Sequence, residues 1–188
     1  MSQDAFDDRR RALEEQFFQK HEKELVQKLK DDAQRQHSRE ELQRLTGISN
    51  DQVLDALANL KLGGAATLVM SLYPIIEVAW ADGVVDAKER VIILDLAKTI
   101  GLQVDSPAYS YLSMWLDEKP ELTWHSLWAE YVKALVTKMK PDDKAMLKAT
   151  VLGRARVVAE ASGGFMGLAF KVSDAEGRVL SNLERAFD

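Results

Sequence analysis

Cysteine is absent from this chain of 188 residues, and only three histidines occur. Without cysteine the chain can form no disulfide bond, no thiolate metal site and no thiol-dependent active site. The histidines are His21, His37 and His125, and no two of them have the four-residue spacing of a helical zinc-binding pair. The sequence also has no nucleophile elbow and no glycine-rich phosphate loop, so we expect a protein that is not an enzyme.

Long hydrophobic runs are absent too. The longest extends from Ala65 to Ala81, is interrupted by Pro74 and Glu77, and falls short of the roughly 20 residues that cross a bilayer. We therefore expect a buried core helix and no transmembrane segment. The first residues, 1–11, are charged and lack an apolar stretch, which favours neither a secretory signal nor a transit peptide. The expected location is the cytoplasm.

An excess of positive charge is also missing. The net charge is -5, and acidic residues outnumber basic ones both in residues 1–62 and in residues 63–188. Binding to nucleic acid or to anionic membranes depends on clustered lysine and arginine. Residues 38–62 resemble a helix-turn-helix, but their second helix begins Asn50-Asp51-Gln52-Val53-Leu54-Asp55, without a base-reading lysine or arginine. We expect a plain helical hairpin and no nucleic-acid partner.

Helical signals dominate what the chain does contain. Residues 1–36 lack glycine and proline and pair opposite charges at helical spacing, which predicts one long helix. Its apolar stripe drifts around the helix instead of keeping a heptad, so a long coiled coil is disfavoured. The pattern predicts an arm that packs on its own domain or on a protein partner, with candidate contact residues Phe6, Leu13, Phe17 and Leu25.

Capping signals divide the rest of the chain into further helices. Ser38 with Glu41 predicts a capping box that opens a short separate helix, ended by Gly47. Later helix starts are predicted at Asp86 with Glu89, at Ser106 before Pro107, and at Ser173 with Glu176. No segment has the alternation of a β-strand. The sequence predicts an all-α fold, in which residues 1–62 form a helical arm and a short hairpin and residues 63–188 form a helical bundle.

One pattern occurs twice in the bundle. Val78-Ala79-Trp80-Ala81-Asp82-Gly83 leads to the Asp86/Glu89 cap, and Val158-Ala159-Glu160-Ala161-Ser162-Gly163 leads to the Ser173/Glu176 cap. Each copy predicts a helix, a tight glycine turn and a newly capped helix. Such a duplicated helix pair is expected to pack as a pseudo-symmetric bundle, with small residues at the turns allowing close approach.

The first copy carries a family resemblance. The element Ala81-Asp82-Gly83-x-x-Asp86-x-x-Glu89 resembles the tellurite-resistance TerB-like domain, and the resemblance covers roughly residues 63–188. It implies an all-helical domain associated with stress and tellurite phenotypes, and a divalent cation held by Asp82, Asp86 and Glu89. The second copy departs from the pattern, because Ser162 and Ser173 stand where aspartates would be needed. Helix capping by Asp86 and Glu89 is the structural alternative to a metal site.

The N-terminus carries a second, shorter resemblance. Phe6-Asp7-Asp8-Arg9, followed by Ala12, Glu14 and Phe17, is similar to the start of the zeta-type inhibitor of bacterial ATP synthase. The resemblance implies a regulator that inserts its N-terminal helix into the rotary motor. The basic, tryptophan-containing stretch expected next in that family is missing here.

Charged residues on apolar helices are the remaining candidates. Glu77 lies in the Ala65 to Ala81 helix, and Arg154 and Arg156 lie in a later one. We predict a buried ion pair between Glu77 and one of these arginines. The expected function is that of a non-catalytic interaction or stress-associated protein, with divalent-metal binding and ATP synthase inhibition as alternatives.

Overall fold

The computed structural model describes the backbone of residues 3–162 and 172–188 and the side chains of residues 16, 19–161 and 172–188. Over these residues the chain forms helices and no strand, which confirms the predicted all-α fold. The helices are α1 (Gln3–Thr46), α2 (Asp51–Ala58), α3 (Ala66–Ala79), α4 (Ala87–Thr99), α5 (Pro107–Asp117), α6 (Leu122–Val136), α7 (Pro141–Ser162) and α8 (Asp174–Arg185), and a 3₁₀ turn at Gly63–Ala65 precedes α3.

The chain divides into two compact units, residues 1–37 and residues 38–188, and the boundary falls inside α1. The first unit is a single stretch of helix. All of its side chains from Gln19 to His37 are exposed to solvent. The second unit contains the hydrophobic core.

The predicted helix start at Ser38 is wrong. Helix α1 runs without interruption to Thr46, and Gly47 ends it with a φ of 70°. Ser38 is buried, and the Glu41 carboxylate accepts a hydrogen bond from the amide of Gly64 at 3.1 Å. Glu41 thus binds the turn before α3 instead of the beginning of a new helix.

The predicted boundary at residue 62 differs from the division that the structure shows. Leu42, Ile48 and Leu57, on α1, on the following loop and on α2, are buried in the same core as the bundle. Arg39 also donates hydrogen bonds to Asp51, at 2.6 Å, and to Asp55. The hairpin therefore belongs to the second unit, because its apolar residues are buried there.

Helix α3 lies at the centre of the second unit and packs against every helix from α4 to α8. It contains Pro74 in its interior and continues through that residue. Tyr73 of α3 makes an edge-to-face contact with Trp115 of α5, with ring centroids 5.8 Å apart. Aromatic residues of α5 and α6 thus enclose one side of α3.

The predicted helix starts of the bundle are confirmed at three places. Asp86 with Glu89 and Ser173 with Glu176 form complete capping boxes, and the Ser106 hydroxyl accepts a hydrogen bond from an amide of α5. Gly101 follows α4 with a φ of 88°, as expected for a residue that ends a helix. These local signals place α4, α5 and α8 along the chain.

No single described helix is long and apolar enough to cross a membrane. The segments Asp51–Ala58 and Gly63–Ala79 meet the length and composition criteria only when they are taken together, across a bend of 107°.

Candidate functional site

The acidic turn between α3 and α4 uses its carboxylates to bind backbone amides. Asp82 accepts from the amide of Val84 at 3.1 Å, and Asp86 accepts from the amides of Lys88 and Glu89 at 2.7 and 2.8 Å. Glu89 accepts from the amide of Asp86 at 2.8 Å. Within the part of the chain that the structure describes, no three acidic or histidine side chains converge to hold a metal ion. The structure therefore places Asp82, Asp86 and Glu89 in turn and cap roles and does not assemble them as a ligand set.

Glu89 is nonetheless an unusual acid, because its side chain is buried. Burial raises its pKa to about 7, and the nearby charges of Asp86, Asp82 and Glu176 also favour the protonated form, while the hydrogen bond from the Asp86 amide opposes it. Glu176 is buried as well. The carboxyl group of the second copy of the repeat thus acts on that of the first inside the bundle.

The prediction that Glu77 pairs with Arg154 or Arg156 is wrong. Both carboxylate oxygens of Glu77 lie close to Nδ1 of His125, at 2.9 and 3.0 Å. The two residues meet because α3 packs against α6. Arg154 is only partly buried and Arg156 is exposed, so neither of them is the buried cation that the sequence predicted.

Tyr73 completes a polar group around Glu77. Its hydroxyl interacts with the Glu77 carboxylate, one helical turn further along α3, and this interaction contributes to its raised pKa. Burial, together with the negative charge of Glu77, raises the pKa of Tyr73 above its usual value. The Tyr73 hydroxyl therefore stays protonated beside the carboxylate.

These residues line a cleft of about 380 Å³ in the second unit. Its walls come from α3, from the loop before α6, from α6 itself and from α8. Trp80 lies at one side, where its indole Nε1 donates to the carbonyl oxygen of Trp115 at 2.7 Å. Lys119 donates to the carbonyl oxygen of Trp80 at 3.3 Å. The cleft thus has a carboxylate, an imidazole and a tyrosine hydroxyl in one place, beside an indole ring held by a hydrogen bond.

Sequence reasoning missed the part played by His125 and Tyr73. The spacing of Tyr73 and Glu77, one turn apart on an apolar helix, is a signal that the sequence did contain. His125 stands within an aromatic helix, where a polar residue next to a buried face calls for a partner. The pairing of Glu77 with His125 could not be read from either pattern, because the two residues lie on different helices.

Of the candidate contact residues of the arm, the structure describes the side chain of Leu25. The side chains of Phe6, Leu13 and Phe17 lie outside the described part of the structure. Leu25 is 53% exposed, and its neighbours Val26 and Leu29 are 44% and 61% exposed. Three aliphatic side chains on this stretch of α1 therefore face solvent.

Comparison of the chain with protein-family models, with curated proteins and with solved structures finds no match.

Proposed function

We propose that the chain is a non-catalytic cytoplasmic protein that binds a protein partner through the N-terminal arm, and that the contact is made by Leu25, Val26 and Leu29 of that arm. The observation that supports this function is the exposure of Leu25, Val26 and Leu29 on a stretch of helix where all the described side chains from 19 to 37 are exposed. The bundle of residues 38–188 provides the folded body that carries the arm.

The arm has the properties of a helix that docks into an apolar groove. Leu25 and Leu29 are four residues apart, so they lie on the same side of α1, and Val26 lies beside them. Burying them in a groove releases about 25 cal/mol for each Å² of apolar surface removed from water. The helix-in-groove mode uses anchors at such spacing. With only three aliphatic anchors we expect modest affinity and a reversible complex.

The charges around the anchors favour a partner with both signs of charge at the rim of its groove. Glu22 and Glu24 precede the anchors, and Lys28 and Lys30 lie among and after them. An acidic or a basic surface alone would meet like charges from this helix. Complementary rim charges mainly set specificity and the rate of association.

The two family resemblances supply the context of the proposal. A TerB-like relationship of residues 63–188 would make the partner a component of a stress response. The N-terminal resemblance makes bacterial ATP synthase the first purified partner to test.

The test uses a photo-crosslinking residue at Val26 in the full-length chain, followed by identification of the captured protein and measurement of its binding in purified form. The double substitution Leu25→Ser with Leu29→Ser should weaken that binding at least tenfold without changing the melting temperature, because both residues are exposed. Val91→Ser is the matched control, since Val91 is an exposed aliphatic residue of α4. Equal binding by the double variant and the wild type would refute the arm as the binding element. Capture of a second copy of the chain would identify self-association instead.

A further inference from the structure

The cleft lined by α3, α6 and α8 contains a strong hydrogen-bond acceptor, the Glu77 carboxylate. The Glu77 side chain is only partly exposed, and its carboxylate accepts a hydrogen bond from Nδ1 of His125. An ionised carboxylate only accepts hydrogen bonds, and its two oxygens offer about four lone-pair positions. Glu77 therefore has capacity left to accept hydrogen bonds from a bound molecule.

His125 adds a second polar group to the cleft. Because Nδ1 lies 2.9 Å from the Glu77 carboxylate, the hydrogen of a neutral imidazole is on Nδ1 and the lone pair is on Nε2. Among the described residues, no protein group is hydrogen-bonded to this Nε2. A molecule in the cleft that carries N–H or O–H groups would find an acceptor on Glu77, and the neutral form of His125 would offer Nε2 as a second one.

The charges and walls of the cleft define the kind of molecule further. Glu121 adds a second negative charge, while the ammonium group of Lys119 is bonded to the carbonyl oxygen of Trp80. The side chains of Ala81, Leu122 and Val179 supply apolar wall. A volume of about 380 Å³ lies within the range of roughly 300–1,000 Å³ that is typical of small-molecule sites.

We propose that this cleft binds a small organic cation, a primary amine with a compact apolar body, whose ammonium group bonds to the Glu77 carboxylate. The apolar body lies against Ala81, Leu122 and Val179. A carboxylate or a phosphate is disfavoured, because it would meet the two negative charges of Glu77 and Glu121, which outnumber the single positive charge of Lys119. The proposal is independent of the arm, since every residue involved belongs to the second unit.

The first experiment compares three probes that share a phenyl body and differ in the polar group: 2-phenylethylamine, 2-phenylethanol and 3-phenylpropanoate. The readout is the indole N–H resonance of Trp80 in the nitrogen-15 labelled full-length protein, assigned with Trp80→Phe. We expect a saturable shift with the amine, binding at least tenfold weaker with the alcohol and none with the carboxylate. Equal or tighter binding of the carboxylate, or no saturable shift with the amine, would overturn the proposal.

Two kinds of variant test which group is responsible. Glu77→Gln keeps an oxygen acceptor and removes the charge, so it should weaken amine binding at least tenfold, whereas Glu130→Gln, outside the cleft on α6, should leave it unchanged.

The second kind of variant does not depend on the buried pair. Leu122 is 86% exposed, so its replacement should not disturb folding. Leu122→Arg should weaken amine binding, because it adds a positive charge at the cleft, and Leu122→Glu should strengthen it. Identical affinities for these two variants would show that the charge of the cleft does not select the ligand.

Discussion

Glu89 and Glu176 occupy the same position in two different helices, and the charge of Glu176 raises the pKa of Glu89. Each is the third residue of its helix, and each accepts a hydrogen bond from the amide of its own N-cap residue, at 2.8 and 2.6 Å. The two side chains are 3% and 4% exposed. The two capping boxes therefore do more than begin two helices. They also bring two carboxyl groups into one apolar interior.

The raised pKa of Glu89 predicts a pH-dependent stability. In the unfolded chain this carboxyl has an ordinary pKa near 4.5, whereas in the folded protein it is about 7. The folded state binds the proton more tightly, so the stabilising contribution is fully present below pH 4.5 and is lost as the pH rises through 7. At about 1.4 kcal/mol for each pKa unit, the loss is on the order of 3 kcal/mol. Urea unfolding at pH 5 and pH 8 should show most of this loss as a lower free energy of unfolding at pH 8.

Glu89→Gln should remove this part of the pH dependence, because glutamine keeps the capping hydrogen bond and cannot ionise. The free energy of unfolding of the variant should change less between the two pH values than that of the wild type. Glu130→Gln, an exposed residue of α6, is the matched control and should behave like the wild type. The prediction fails if Glu89→Gln and the wild type show the same difference between pH 5 and pH 8.

Glu176→Gln should lower the pKa of Glu89. The substitution removes one of the negative charges that favour the protonated form of Glu89, and it keeps an oxygen for the Ser173 cap. The carbon-13 chemical shift of the Glu89 carboxyl, followed through a pH titration, measures the change. An unchanged or increased pKa would show that the two carboxyl groups do not interact.

Loss of the Tyr73 hydroxyl should destabilise the protein modestly. Tyr73→Phe removes the interaction of the hydroxyl with the partly buried Glu77 carboxylate, and we expect a loss of about 1 kcal/mol in the free energy of unfolding. In the background of Glu77→Gln the same change should cost less, so a double-mutant cycle should give a coupling energy of the order of 1 kcal/mol. Additive effects of the two substitutions would contradict the interaction.

Tyr109→Phe is the control for that cycle. Among the described residues, the hydroxyl of Tyr109 makes no side-chain hydrogen bond, although its ring is partly buried. Its removal should change the free energy of unfolding by no more than a few tenths of a kcal/mol.

Two glycines should respond in opposite ways to replacement by alanine. Gly101 has a φ of 88°, where an L side chain is strained, so Gly101→Ala should destabilise the protein by about 1–2 kcal/mol. Gly153 lies inside α7, and a Cβ there would meet no atom within 4 Å. Gly153→Ala should therefore stabilise by about 0.5–1 kcal/mol. Melting temperatures of the two variants provide the comparison, and a shift in the same direction for both would contradict it.

The helices and most of their ends follow from the sequence alone. Asp86, Ser106 and Ser173 begin helices because their side chains bind the free amides of the first turn, and that interaction involves only residues within three positions. Ser38 with Glu41 has the same local pattern and begins no helix. There the Glu41 carboxylate accepts a hydrogen bond from the amide of Gly64, which is distant in the sequence.

The composition of the cleft depended on the tertiary structure. The sequence marked Glu77 as a charged residue in an apolar helix, but its partner had to come from another helix, and several cations were available. Packing of α3 against α6 selected His125, because it brought that ring within 2.9 Å of the carboxylate. In the same way, the repeat was visible in the sequence, while the effect of Glu176 on Glu89 arose only when the two copies were brought together in the folded bundle. Capping and helical periodicity act over a few residues and can be read along the chain, whereas ion pairs and pKa values depend on distances between helices that only the packed core determines.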